Sequence, residues 1–239
     1  TSVAVTGLTF ATAYYVAVYE YKGTIDTADV HQGTNYKLTP VTGSQTTGQA
    51  APTLTSPTAS AIGSTTATLG ANITSNGGGT ITARGTVWGT TANPTGNLLA
   101  EGGTATGVFN QARTGLSAGT KIYYRGYASN GAGIGYSPDG SFYTEPTTQA
   151  AGISFSSVGI SGMTINWTRG SGDGVIVLMK QGSAVNSAPA DGTYSTYSAN
   201  SAFSMGTQIG TGNYVVYKGT GTGVSVTGLS GSSTYYVAI

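Results

Sequence analysis

The sequence feature that most restricts the fold is a segment that occurs twice. Residues 1–18 (TSVAVTGLTFATAYYVAV) align without a gap with residues 222–239 (TGVSVTGLSGSSTYYVAI), at a constant offset of 221 residues. Both copies contain a Val-Thr-Gly-Leu corner followed by a Tyr-Tyr-Val-Ala run. Self-similarity at a long, fixed period is typical of domain arrays, so we interpret the chain as a window on a longer repeating protein.

The first copy has the alternation of β-strands with one buried face. Val5 precedes the corner and Tyr14 and Val16 follow it, so that apolar residues recur at every second position. Two such strands bury too little area to form a stable domain. We therefore expect residues 1–50 to be the C-terminal strands of an incomplete domain, with one more strand in residues 38–47 after a long loop.

The composition indicates β structure with many turns and excludes several classes of partner. The 239 residues include 39 glycines and show almost no sustained helical period. Charged residues make up only 7%, with 9 basic against 8 acidic side chains. Such a surface is not suited to bind nucleic acid or anionic lipid. The absence of cysteine excludes disulfides and zinc–thiolate sites, and no apolar run is long enough for membrane insertion within this segment.

Residues 51–146 contain the strands of a complete domain. The segment Thr65–Thr74 places alternate apolar residues on one face, and the Asn-Gly-Gly-Gly turn that begins at Asn76 can reverse the chain. Further strands are predicted at Thr80–Trp88, Val108–Thr114, Lys121–Ser129 and Gly135–Thr144. About seven short strands with glycine punctuation favour a two-sheet sandwich.

The segments TTATLGANITSNGG, TARGTVWGTTANPT and TGLSAGTKIYYRGYASNGAGIGYSPDGSFYT carry a family resemblance. They resemble the fibronectin type III-like domains found in tandem in very large bacterial surface proteins, notably of the Bacteroidetes, over essentially all of residues 53–145. The resemblance implies an all-β chain of tandem fibronectin type III/immunoglobulin-like Greek-key β-sandwiches, arranged as beads on a string or a fibre. It also implies an extracellular location at the bacterial cell surface.

The corner that follows Leu116 departs from the family pattern. Ile122 occupies the position of the family's corner tyrosine, whereas the two end copies keep it as Tyr14 and Tyr235. The resemblance therefore implies a tyrosine-corner hydrogen bond at both ends of the chain and none in the middle domain.

Residues 147–239 begin a second, larger domain of the same type. The run SGMTINWTRGSGDG resembles the second strand of a fibronectin type III domain, with Trp167 as its core tryptophan. Later strands are predicted at Val175–Lys180, Gln208–Tyr217 and Gly223–Leu229. We expect this domain to lack its last strands, which an equivalent of residues 19–50 from the next copy supplies.

Few residues have the pattern of a catalytic or metal site. Asp26, Asp29 and His31 form the only local cluster of titratable groups, and they lie in a loop rich in glycine and threonine. No nucleophile elbow, metalloprotease helix, phosphate loop or calcium loop occurs. We expect neither an enzyme nor a bound metal or cofactor.

Aromatic residues favour an alternative function, because sugars stack on flat apolar rings. Trp88 is predicted to be exposed if Val87 faces the core, and Tyr194 and Tyr197 lie in a stretch rich in serine and threonine. These three residues are candidate contacts of a carbohydrate-binding or adhesive module, such as an accessory region of a secreted polysaccharide-degrading enzyme. Its partners would be surface glycans.

One position is a candidate for modification. Asp26-Thr27-Ala28 resembles the short acceptor pattern for O-glycans in Bacteroidetes surface proteins. Its position in a loop leaves room for a glycan, so Thr27 is a predicted glycosylation site.

The sequence thus predicts a structural repeat segment of an extracellular bacterial filament or giant adhesin, whose partners are neighbouring copies of itself. Two arrangements stay open: covalent continuation of one long chain, and separate subunits whose strands complement one another. The predicted junction between copies consists of apolar residues of the two repeated segments, namely Val5, Leu8, Tyr14, Val16, Leu229, Tyr235 and Val237.

Overall fold

The chain is all-β, as predicted. The structure is a computed structural model that describes residues 2–23 and 35–239, and these form eighteen strands and one 3-10 turn, Tyr194–Thr196. None of the helical structure in this part of the chain has the length and apolar character needed to cross a bilayer. Two compact units can be distinguished. The first comprises Thr1–Ala61, Ala67–Thr114 and Ile122–Phe142, and the second Ile62–Thr66, Gly115–Lys121 and Tyr143–Ile239.

The first unit begins with a two-stranded hairpin. Strand β1 (Ala13–Val18) pairs antiparallel with β4 (Val41–Thr46), from Ala13 opposite Thr46 to Val18 opposite Val41. Between them, the two-residue strands β2 (Tyr21–Lys22) and β3 (Asn35–Tyr36) pair with each other. The strand predicted in residues 38–47 is therefore present.

A three-stranded sheet follows, in the order β5 (Thr53–Ser60), β6 (Ala67–Ser75), β9 (Gly107–Arg113). The alternation of β6 correctly predicts its buried face, because Ala67, Leu69, Ala71 and Ile73 are all at most 3% exposed. The glycine turn after β6 has the expected left-handed backbone, with φ of 67° at Gly77.

The facing sheet of the first unit has the order β8 (Leu99–Ala100), β7 (Ala83–Gly89), β10 (Lys121–Asn130), β11 (Gly133–Tyr136), and β12 (Gly140–Tyr143) also pairs with β10. Two antiparallel sheets of this strand order form a Greek-key sandwich of the fibronectin type III/immunoglobulin-like kind. The single strand predicted over residues 135–144 is instead divided in two. Pro138, which has no N–H to donate to a ladder, lies at the interruption.

The second unit repeats this arrangement with fewer strands. One sheet has the order β13 (Ala151–Ser156), β14 (Gly162–Thr168), β17 (Gly223–Thr227), and the other has the order β16 (Tyr214–Gly219), β15 (Val175–Gln181), β18 (Tyr235–Ala238). Trp167 is 4% exposed and packs in the core between the sheets, as predicted. Its ring contacts Tyr217, with 5.3 Å between centroids.

Strand β7 shows which of its faces packs on the core, the condition on which the predicted exposure of Trp88 depends. Thr86 and Val87 are adjacent, so they point to opposite faces, yet both are fully buried. The register pairs Thr86 with Gly126 of β10, and a Cβ on Gly126 would lie 2.3 Å from that of Ala71. The face shared by Thr86 and Trp88 is therefore the one that packs on the other sheet.

Candidate junction surface

The two repeated segments fold into the same corner. Gly7 and Gly228 both have left-handed backbone, with φ of 74° and 73°. In the first copy, the Tyr14 hydroxyl accepts a hydrogen bond from the backbone N–H of Thr9 at 2.9 Å, and in the second copy that of Tyr235 accepts from Ser230 N–H at 2.8 Å. The tyrosine corner implied by the resemblance is present at both ends.

The hydrogen bonds at the first corner also lower the pKa of its tyrosine, Tyr14. Hydrogen bonding to the Thr9 side chain, and then to its backbone N–H, lowers the pKa of Tyr14 below its usual value because both stabilise the phenolate. In the middle domain, Ile122 is fully buried and offers no hydroxyl. The middle domain therefore cannot make this hydrogen bond.

The environments of the two copies differ. Val226 is 1% exposed, whereas the residue that matches it, Val5, is 67% exposed. Val16 is likewise 57% exposed, although Val237, which matches it, is partly buried. The same apolar face is therefore covered in the second copy and uncovered in the first.

The uncovered face of the first copy is concave. It encloses a groove of about 450 Å³ that is lined on the apolar side by Val5, Leu8, Tyr14 and Val16. The rest of the wall consists of Tyr15, three residues of strand β4 and Thr47, none of which is charged. We call this face the junction groove.

The second copy shows what covers such a face. Tyr235, Val237 and Leu229 pack against the core cluster of the second unit. This cluster consists of Ile165, Trp167, Val177, Met179, Val216 and Val226. The ring of Phe203 also meets that of Tyr235 edge-on, with centroids 5.0 Å apart. A tyrosine at the corner position thus serves as a core residue once the rest of a sandwich is present.

Strand β18 lies at an edge of its sheet. It pairs with β15 from Leu178 opposite Ala238 to Gln181 opposite Tyr235, and no strand among the described residues pairs with its other side. In the first unit, β4 occupies that side of the matching strand β1. The two copies therefore also differ in the partner strand.

The junction residues predicted from the sequence fall into two groups. Val5, Leu8, Tyr14 and Val16 come together in the junction groove. Leu229, Tyr235 and Val237 come together on the core of the second unit. Contact between the two groups in different copies stays a prediction.

The predicted aromatic contacts differ in exposure. Trp88 is partly buried, on the inward face of β7, so it is not the exposed platform expected if Val87 faced the core.

Tyr194 is 58% exposed, and the ammonium of Lys218 lies 4.0 Å from the centre of its ring. Tyr197 is partly buried, and its hydroxyl contacts the Thr193 hydroxyl at 2.6 Å. This hydrogen bond lowers the pKa of Tyr197.

The predicted glycosylation site, Thr27, lies outside the described residues. The same is true of the cluster formed by Asp26, Asp29 and His31. Among the residues that are described, no group of three or more histidine, aspartate or glutamate side chains is placed to hold a metal ion.

The charged side chains of the first unit hold loops in place. Arg84 makes a two-pronged contact with Glu101, at 2.7 and 3.3 Å, and the hydrogen bond from Arg84, followed by that from Gly103 N–H, lowers the pKa of Glu101. Asp139 accepts from Asn93 N–H at 2.7 Å. Glu101 is thus held by strand β7 and by its own loop, and Asp139 by the loop that contains Asn93, so both carboxylates have structural roles.

Sequence reasoning missed the long connection between β15 and β16. It is anchored by the fully buried Asn213, whose side chain donates to Ile209 O at 2.9 Å and to Asn186 Oδ1 at 3.1 Å. Phe203, from the same connection, reaches the core beside Tyr235. A lone phenylalanine in a polar stretch was the only signal available.

Among the comparisons with known proteins, only the one with solved structures found similar proteins. No protein-family model matches the chain, and no curated protein matches it. The crystal structure of chicken CNTN1 FN1–FN3 domains is 10% identical over 81% of this chain and 63% of that one, with a TM-score of 0.37. A crystal structure of titin domains is 14% identical over 57% and 60%, with a TM-score of 0.32. The chain thus spans about three-fifths of these structures, and the scores are too low to argue for a shared function.

Proposed function

We propose that this chain is a structural repeat segment of an extracellular bacterial surface filament or giant adhesin, in which copies are joined end to end. One observation carries the proposal: the same corner and strand are uncovered in residues 1–18 and packed in residues 222–239. The two sequences match at ten of 18 positions, including the valines, the leucine and the tyrosine of the apolar face, so the environment that covers one is the environment that suits the other.

Burial of the junction groove would be favourable. Burying apolar surface contributes about 25 cal/mol for each Å² removed from water, and contiguous exposed apolar patches mark interaction sites. The groove is lined by two aliphatic residues before β1, Val5 and Leu8, and by two tyrosines and a valine within it. A fibronectin type III-like core of the kind seen around Trp167 supplies the matching surface.

The two arrangements of the copies differ in covalent connection. In one long chain, a segment like residues 19–50 follows a segment like residues 222–239 and returns as the strand next to β18. In a polymer of subunits, that strand comes from another molecule. The sequence favours the first arrangement, and the mass of the native material separates them, since one continuous chain of many copies has a mass many times that of a single copy.

Extension of the full chain tests the proposal directly. We expect residues 1–239 followed by a second copy of residues 19–50 to fold with the added strand beside β18. The second unit should then unfold at a higher temperature, by roughly 4–8 °C for each kcal/mol gained, as for a domain of about 100 residues. The measurement is differential scanning calorimetry combined with amide hydrogen exchange of β18.

The matched control is the same extension in which the second copy of Val41–Thr46 is replaced by a glycine–serine segment. This control adds the same length and loop but cannot complete the sandwich. Equal unfolding temperatures for the two extended chains would contradict the proposal.

The proposed setting agrees with the composition. Only 7% of the residues are charged and the net charge is +1, so neighbouring copies face little mutual repulsion. We propose the bacterial cell surface as the location, neighbouring copies as the partners, and a role that needs neither catalysis nor a cofactor.

A second candidate function, carbohydrate binding, is favoured by the exposed ring of Tyr194. Lys218 lies over this ring, so a sugar could stack only on the opposite side. A glycan array compares the full chain with its Tyr194→Ala variant, and Tyr143→Ala, which alters another exposed tyrosine, is the control. Loss of a glycan signal in Tyr194→Ala alone would support this candidate.

A further inference from the structure

We infer that the free edge of β18 accepts strand Val41–Thr46 from a second copy, with Tyr236 opposite Ser44. This inference rests on the proposed end-to-end function and names the strand, the edge and the register of the contact. The occupant is thus a defined segment of this same chain.

The register follows from the repeat. In the first unit, β1 and β4 pair with Tyr15 opposite Ser44 and Val16 opposite Gly43. At the constant offset of 221 residues, Tyr15 matches Tyr236 and Val16 matches Val237. A strand that pairs with β1 in this register meets nearly the same sequence in β18.

Strand β18 itself lacks the features that protect exposed strands, and among the described residues only the carbonyl of Ile239 just after it is engaged, by the Gln149 side chain. Natural edges are blocked by lysine, proline or bulges, whereas residues 235–239 (YYVAI) contain no charge and no proline, and their pairing with β15 has no register shift. Strand β4 (VTGSQT) is also uncharged. Neither strand therefore brings a charge that would oppose their pairing.

The faces of the two strands agree in this register. Tyr235 and Val237 point to the core of the second unit, while Tyr236 is 41% exposed. Strand alternation then places Ser44 beside Tyr236 on the outer face and Gly43 beside Val237 on the inner face. Gly43 has no side chain and so leaves room for Val237 and the core residues beneath it.

A peptide is the suitable probe, because β4 is already paired with β1 within each copy. The experiment uses the full chain carrying Tyr236→Cys and a peptide of residues 38–48 carrying Ser44→Cys. The native sequence contains no cysteine, so every disulfide reports the designed pair. Thr47 N–H donates to Thr12 O, so Thr12 and Thr47 form a hydrogen-bonded pair of the β1–β4 ladder. Because pair types alternate along an antiparallel ladder, Tyr15 and Ser44, three positions further on, form a non-hydrogen-bonded pair. Side chains of such pairs lie closer together, which suits a disulfide.

The matched control is the same peptide with Gly43→Cys in place of Ser44→Cys, since its thiol points to the opposite face. Under a glutathione buffer, we expect the Ser44→Cys peptide to form about tenfold more mixed disulfide with the chain than the control, because disulfides require close Cβ atoms. Equal yields, or no disulfide with either peptide, would overturn the inference.

A second measurement does not depend on cysteine variants. The unmodified peptide of residues 38–48 should slow amide hydrogen exchange in β18 of the native chain, and a scrambled peptide should not. No slowing in β18 would overturn the inference.

These outcomes are distinguishable from failure of the proposed function. If the covalently extended chain is stabilised but the peptide neither couples nor protects β18, the proposed function stands and the inference falls. If the peptide couples in register but the extension gives no stabilisation, the pairing of the two strands stands and the proposed end-to-end function is contradicted.

Discussion

At the scale of single residues, Tyr235 combines two tasks. Its ring packs on the core of the second unit, and its hydroxyl accepts a hydrogen bond from Ser230 N–H at 2.8 Å. The hydroxyl thereby gives a partner to the backbone of the corner that leads into β18. Tyr236, the next residue, points outward and is 41% exposed.

We expect Tyr235→Phe to lower the free energy of unfolding of the second unit by about 1 kcal/mol, the usual net contribution of one hydrogen bond. The control Tyr236→Phe should change it by less than about 0.5 kcal/mol, as surface substitutions do. Urea unfolding followed by Trp167 fluorescence, in a Trp88→Phe background, measures both. Equal losses in the two variants would contradict a structural role for the corner hydroxyl.

Both corners could be predicted from the sequence because the motif is local. The glycine, the leucine and the tyrosine six positions after it are fixed relative to one another within one short segment. The ion pair of Arg84 with Glu101 could not be predicted, since it depends on how the loop after β8 returns to β7. Contacts set by tertiary structure leave no periodic signal.

At the scale of elements, the two sheets of the first unit approach closely where Gly126 of β10 faces Ala71 of β6. A Cβ on Gly126 would lie 2.3 Å from the Ala71 Cβ, while the nearest atoms of Phe109 and Leu54 would lie at ordinary contact distances of 3.4 and 3.5 Å. Ala71 is therefore the single obstacle to a larger residue at position 126.

We expect Gly126→Ala to lower the free energy of unfolding of the first unit by about 1–3 kcal/mol, the usual cost of overpacking. The double variant Ala71→Gly/Gly126→Ala removes the collision, so its loss should be smaller than the sum of the two single losses. Denaturant unfolding of all three variants measures this coupling. Additive losses would show that the sheets do not meet at this pair.

The strands differ in how well their patterns predicted them. Strand β6 alternates strictly between apolar and other residues, and its buried face was predicted correctly. Strand β7 is covered on both faces at Thr86 and Val87, so its alternation could not show which face is inward. The connection that carries Phe203 has no period at all, because its order comes from hydrogen bonds of Asn213.

At the scale of the whole molecule, the small number of charged residues limits which interactions could hold the proposed junction between copies together. Nine basic and eight acidic side chains are distributed over 239 residues, and neither β18 nor β4 contains a charged residue. For the association proposed at this junction, we therefore expect apolar burial and backbone hydrogen bonds to supply the binding free energy.

Capture of the peptide of residues 38–48 by the full chain should then be insensitive to sodium chloride between about 0.1 M and about 1 M, although the Debye length falls from about 10 to about 3 Å. Ammonium sulfate should strengthen capture, because excluded salts favour apolar burial. Titration of a fluorescent peptide measures both effects, and the Thr46→Glu peptide, whose added charge lies on the outer face with Ser44, shows what salt dependence a charge produces. Marked weakening of the native peptide by sodium chloride would mean that charged groups outside the two strands hold the copies together.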